Sequence, residues 1–188
     1  MTTTVTFDTT TNDLYGRDLS SLIVSASAAL NFGTDGTPNN RTRVWIPFTS
    51  VPLPKNLSII SATLKMWSDQ SFGTVGQHLA CEAQDNPSAP TTWADLSTRV
   101  QTTAKLTIAS MPMYAGDTEI TFDLTTSVQE ILNRAGWVYG NTLAILSVDD
   151  GNTNASAVRR FYSFDDVNFL MPKLEIVFDN FVPRSGMV

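Results

Sequence analysis

The sequence predicts an all-β fold: a jelly-roll-like antiparallel β-sandwich with one short helix near residues 126–135. Three observations predict it. Hydrophobic residues make up 42% of the chain and charged residues only 16%, with Ser and Thr supplying most of the polar surface; that balance suits pleated, half-buried strands. Ile60 to Trp67 alternates without a break, placing Ile60, Ala62, Leu64 and Met66 on one face and Ser61, Thr63, Lys65 and Trp67 on the other, as in a strand with one face in a core. Gly, Pro and Asn recur at sandwich-like intervals. A chain of 188 residues is long enough for one sizeable core, so residues 1–180 are expected as one domain and 181–188 as a C-terminal tail.

The elements follow in order. Val5–Phe7 opens a first strand. The Ser/Ala-rich segment Ser20–Leu30 suits a strand or a short helix equally, and Asn31–Asn40 is a loop. Arg43–Phe48 is a strand in which Pro47, unable to donate to a ladder, points to an edge or a bulge. Val51–Asn56 turns the chain into the alternating strand Ile60–Trp67. His78–Ala83, Ala104–Ile108, Glu119–Leu124, Thr142–Val148, Arg159–Phe164 and Met171–Phe178 are further strands, and Asn86–Thr92 is a Pro-rich loop. In the helix, Thr126 is expected as N-cap with Gln129 at the capping-box position. Val128, Ile131 and Leu132 share one face, and Gly136 ends it. The expected core includes Ile60, Leu64, Phe122, Leu124, Ile145 and Leu174.

Composition narrows function. The net charge is −6 and the isoelectric point near 4.6. Arg159-Arg160, the only basic pair, is split between opposite strand faces, so no nucleic-acid footprint forms. Cys81 stands alone among apolar neighbours, which excludes an intrachain disulfide and suits a buried structural thiol. The start, Met1–Phe7, has neither the charge nor the apolar run of a signal peptide, and no stretch has membrane-spanning length.

Few residue patterns suggest chemistry. His78 and Cys81, three apart on a strand, face opposite ways and cannot form a dyad. The carboxylate pairs Asp149-Asp150, Asp165-Asp166 and Glu119 with Asp123 suit turn chemistry better than acid–base catalysis. Asp150, Asn152 and Asn154 space their oxygens as in a fragment of a calcium loop, but Ala155 and Phe161 stand where such a loop needs its Gly and its bidentate acid. They are carried forward as the calcium candidate, beside a hairpin turn. No catalytic residue and no cofactor is expected. The candidates for an interface or a ligand surface are the aromatics Trp67, Trp93, Tyr114 and Tyr139, together with Phe181 and Val182 of the tail. Trp137 is read as a plug over the helix.

From Arg43 to Phe178 the order of these pieces resembles the non-catalytic β-sandwich modules called DNRLRE-type domains, found in secreted bacterial proteins and in bacteriophage structural proteins. Arg43–Phe48 followed by Ser61–Lys65 is similar to the family's opening, and Asp85–Thr92 leading to Thr98-Arg99 is similar to its middle. The segment Val128–Trp137, the strand Thr142–Val148, Arg159–Phe164 and Met171–Phe178 complete the likeness, which is nearest to the phage-associated branch. The Trp usual before the family's helix is replaced here by Glu119–Phe122.

The resemblance implies a non-enzymatic bacteriophage virion structural protein, a capsid decoration or head-fibre-type protein bound to the particle surface. The alternative it implies is a carbohydrate-binding or receptor-binding module of a phage tail or bacterial surface apparatus. Expected partners are the major capsid protein or other virion proteins, with a homo-oligomer and a polysaccharide left open, and neither nucleic acid nor membrane. A chain starting at Met without a signal peptide is expected in the virion, assembled in the host cytoplasm.

Overall fold

The structure, a computed structural model, describes residues 1–168 and 170–179. Twelve strands form two antiparallel sheets of six strands each. Sheet A holds β1 (Thr2–Asp8), β4 (Ala29–Gly33), β6 (Ile59–Phe72), β9 (Thr118–Asp123), β11 (Val158–Tyr162) and β12 (Lys173–Asp179). Sheet B holds, in spatial order, β3 (Leu22–Ser25), β2 (Leu14–Arg17), β5 (Thr42–Phe48), β10 (Leu143–Asp149), β7 (Gln77–Cys81) and β8 (Leu106–Ile108). The all-β sandwich expected from the sequence is what the chain forms, and the open segment 20–30 resolves into β3 and the start of β4.

Sheet A is built around β6, a strand of 14 residues. Each strand residue has one neighbour on either side. Thr63, Leu64 and Lys65 pair with both β12 and β9, so those two strands flank β6 on opposite edges. Ser68 pairs with Thr118 of β9 and with Phe161 of β11, which puts β11 on the same edge as β12. Thus β11 and β12 run end to end along one edge of β6, and β4 and β1 run end to end beyond them. Between these collinear halves the described residues leave the sheet twice, over 9–28 and over 163–168 and 170–172.

The core lies between the sheets. Alternation turns Ala62, Leu64 and Met66 of β6 inward against Val44, Ile46 and Phe48 of β5 and Ile145 of β10. Phe122, Leu124 and Leu174 join them as expected. Ile60 does not: it is 51% exposed. Val177 pairs with Ser61 and Phe178 with Ile59, so Ile60 is the extra residue of a β-bulge, and a bulge breaks the two-residue period that placed it inside.

Pro47 sits in an interior strand rather than at an edge, yet its missing N–H costs no ladder bond. Pairing with β2 stops at Trp45. The Pro47 carbonyl accepts instead from Thr9 Oγ1 at 2.9 Å, and the ring nitrogen faces that same unladdered side.

Two helices complete the fold. The longer, α2 (Thr125–Leu132), buries Val128, Ile131 and Leu132 over one end of the sandwich. Its expected cap is corrected: Leu124 is the N-cap, with no side-chain capping bond. Gln129 is drawn away to bridge the approach to β6, accepting from Ile59 N and donating to the Leu57 carbonyl, each at 2.9 Å. Trp137 plugs that end, its Nε1 donating to the Leu53 carbonyl at 3.0 Å. The shorter helix, α1 (Trp93–Thr98), was not foreseen; Thr92 caps it by accepting from Asp95 N.

Candidate functional site

The continuous apolar run of β5 and β10 has a tertiary cause: sheet B is buried on both faces. Trp45, Ala144 and Leu146 point away from the core and pack with Leu14 under Leu96 of α1. Gly16 permits the approach, since a Cβ there would stand 2.6 Å from the Trp93 ring. The cover is locked by a buried charge network. Glu82 accepts from Trp45 Nε1 at 2.6 Å and meets Arg99 at 3.0 Å, while Arg99 also reaches Asp95 at 2.9 Å.

The outer face of sheet A carries no such cover over β4, β11 and the far half of β6. Arg160 pairs in register with Asn31 on one side and Gln70 on the other, so three planar polar side chains form one row across three strands. The next row is Gly33, Val158 and Phe72, and the Phe72 ring is 59% exposed. Asn31, Gln70, Arg160, Val158 and Phe72 line an open cleft of about 420 Å³ with Asp35 and Ser156, and Tyr15 stands in its wall.

Its electrostatics are fixed by neighbours. Asp69 meets Arg160 at 2.7 Å, and the Gln70 side-chain Oε1 accepts from Arg160 at 3.2 Å, so the guanidinium is oriented rather than free to sweep. Asp35 is held by Arg17 at 3.1 Å and by the Asn40 amide at 2.9 Å. The Asn31 amide and the Ser156 hydroxyl keep unused hydrogen-bonding capacity among the described residues. An exposed flat ring beside amide, guanidinium and hydroxyl groups is equipped to stack on one face of a ring and to bond its hydroxyls.

The adjacent Arg159 does a different job. It is buried, and its guanidinium donates to the carbonyls of Phe72, Gly73, Met111, Pro112 and Val158. Burial lowers its pKa below the usual arginine range, and the five carbonyls supply the stabilisation that water would give.

The candidate aromatics do not gather. Trp67 lies half-buried on the outer face of sheet A, with the Lys173 ammonium 6.0 Å from its ring centre. Trp93, the first residue of α1, packs on the outer face of sheet B. Tyr114 packs on Phe161 of the core at 6.0 Å, and burial raises its hydroxyl pKa. Tyr139 is 65% exposed in the loop after α2. Phe181 and Val182 lie outside the described residues.

The expected hairpin is corrected: Asp150, Asn152 and Asn154 lie in the loop that crosses from β10 of sheet B to β11 of sheet A. Asp150 accepts from the backbone and side-chain nitrogens of Asn152, each at 2.9 Å, and Gly151 takes a φ of +92°. Among the described residues no three His, Cys, Asp or Glu side chains stand together as a metal-holding group. Asp149 pairs with Arg41 at 3.2 Å, and His78 contacts the Thr107 hydroxyl at 3.0 Å, turned from Cys81. Burial pushes the Cys81 thiol up to about 12, an inert structural group.

The cleft is not legible in the sequence because the clean alternation ends at Trp67. The structure continues the strand through Phe72, with Asp69 the extra residue of a second bulge. A signal existed in Ser71-Phe72-Gly73, an apolar ring flanked by small residues at a strand end, but nothing in it says which neighbours stand beside it.

No family model and no curated protein matches the chain. Among solved structures, one that is similar is a family two carbohydrate esterase from Cellvibrio japonicus, 11% identical with a TM-score of 0.36. The likeness covers 95% of this chain and 35% of that one, so the chain spans about a third of the esterase's length. A likeness at that level says nothing of activity.

Proposed function

We propose that this protein is a non-enzymatic binding module whose uncovered sheet A face recognises a polysaccharide. The observation that carries this is the Asn31–Arg160–Gln70 row beside the exposed Phe72 ring in the cleft. Sugar chains are bound by aromatic faces that stack on the ring and by planar polar groups that read the hydroxyls, and this cleft offers both on rigid strands. Electrophoresis through gels containing soluble polysaccharides tests it. Migration of the wild type should be retarded in at least one gel, and Phe72→Ala should migrate freely while melting at the wild-type temperature. Retardation that survives Phe72→Ala, or none across a broad panel, sinks the assignment.

The virion proposal has its own support in the ordered likeness of residues 43–178 to the phage-associated modules. On it, the protein is a capsid decoration or head-fibre-type component, and Val138 and Tyr139, 60% and 65% exposed on one loop, offer an anchor for a particle protein. The two proposals are compatible, since a particle-bound module can present its cleft outward. Incorporation into purified particles by the full chain and by a chain lacking Phe181–Val188 tests the second. Absence of both forms from particles ends it.

A further inference from the structure

Sheet A is interrupted where its collinear halves meet, and the two excursions that leave it face one another. Thr9 N donates to the Pro172 carbonyl at 3.0 Å at one margin, and Ser163 N donates to the Ala28 carbonyl at 3.2 Å at the other. Between them the turn 10–13 and the turn 163–166 are joined by Phe164 N, which donates to Asp13 Oδ2 at 2.9 Å. Three side-chain oxygens among the described residues are buried without a hydrogen-bond partner: Thr10 Oγ1, Asp13 Oδ1 and Asp165 Oδ2. All three belong to these two turns.

Asp13 is only 2% exposed. No Lys, Arg or His of the described residues forms an ion pair with Asp13, Asp165 or Asp166. A buried carboxylate without counter-charge is costly, and a second one on the adjoining turn adds to that cost.

We propose that Asp13 and Asp165, with the Thr10 hydroxyl, form a calcium site that clamps the break in sheet A. The donors are all hard oxygens on irregular loop backbone, which suits calcium's flexible coordination of six to eight oxygens, the remainder being carbonyls and water. Zinc is disfavoured because no nitrogen or sulfur ligand stands there. A proton shared between the two carboxylates would leave one charge unmatched beside Asp166, whereas a divalent cation neutralises both. Two carboxylates give a weak site, with a dissociation constant on the order of 10⁻⁴–10⁻³ M. The site is separate from the Asp150–Asn154 turn, whose Asp150 oxygens are already engaged, and it does not depend on the cleft's role.

The test is thermal unfolding of the full chain at pH 7.5, first in EDTA and then in calcium chloride at about 30 times that dissociation constant. The melting temperature should rise by roughly 3–8 °C. Asp13→Asn should melt higher than the wild type in EDTA, because a buried charge is gone, and should no longer respond to calcium. Asp165→Asn, at a more exposed position, should lose the response too and serves if the first variant folds poorly. Asp150→Asn should respond as the wild type does. No calcium response in the wild type, a response retained in both Asp13→Asn and Asp165→Asn, or one lost in Asp150→Asn overturns the proposal.

Discussion

Two sheets of equal strand number end with opposite outer faces. Sheet B is covered: α1 and the chain leading into it lie over Trp45, Leu14 and Leu146, pinned by Glu82 and Arg99. The far half of sheet A is bare, and there Phe72, Gln70 and Arg160 stand in the open cleft. The inner faces of both sheets do the same work, so the difference is in what the outward residues are for. On sheet B they extend the core into a third layer. On sheet A the polar row and the Phe72 ring stay open to the cleft.

The comparison breaks most readily at Glu82. Glu82→Ala removes the buried one of the two carboxylates on Arg99, leaving Asp95 alone to offset the guanidinium, and strips Trp45 Nε1 of its acceptor. Stability should fall by about 3–5 kcal/mol, read as a lower urea midpoint, with faster hydrogen exchange in α1 and in β5 while β11 stays protected. Equal loss of protection in both sheets would show that the cover is not a separate layer.

A pH series probes the weak seam of sheet A. In EDTA, Asp13 keeps its proton in the fold up to about 7 against a usual value of 3.8, so the fold favours the protonated form. That contribution is complete below 3.8 and lost as pH rises through 7, with an upper limit of about 4 kcal/mol. Urea midpoints in EDTA should therefore decline between those values in the wild type more steeply than in Asp13→Asn. Parallel profiles would mean that Asp13 contributes nothing across this range.

The two neighbouring arginines sharpen the contrast within one strand. Arg159→Met leaves five buried carbonyls without their donor and should destabilise by about 3 kcal/mol. Arg160→Ala removes an outward, partly exposed ion pair and should change stability by no more than roughly 1 kcal/mol, while weakening retardation in a polysaccharide gel. Denaturant curves and the gel together separate the inner residue from the outer one.

Much of the fold was legible because its signals are local. Alternation in 62–66 placed Ala62, Leu64 and Met66 in the core, and the apolar face of Val128, Ile131 and Leu132 located the helix. Alternation also put Arg159 and Arg160 on opposite faces, though nothing local revealed that Arg159 would find five carbonyls. Ile60 was misplaced because a bulge is set by pairing with β12, which lies more than a hundred residues away in sequence. Gln129 forms no capping box because the approach to β6 offers a better donor and acceptor at the same reach.

The sequence by itself determined the strand character, the buried face of each alternating segment, the helix at the sandwich end and the inert setting of Cys81. These follow from side-chain period, burial preference and turn chemistry, which act over a few residues. Only the tertiary structure decided which strands adjoin: that Asn31, Arg160 and Gln70 form one row, that Glu82 meets Arg99 beneath Trp45, and that Asp13 faces the turn of Asp165. Register between distant strands comes from the closure of the whole sandwich, and a surface composed across strands exists only once that closure is made.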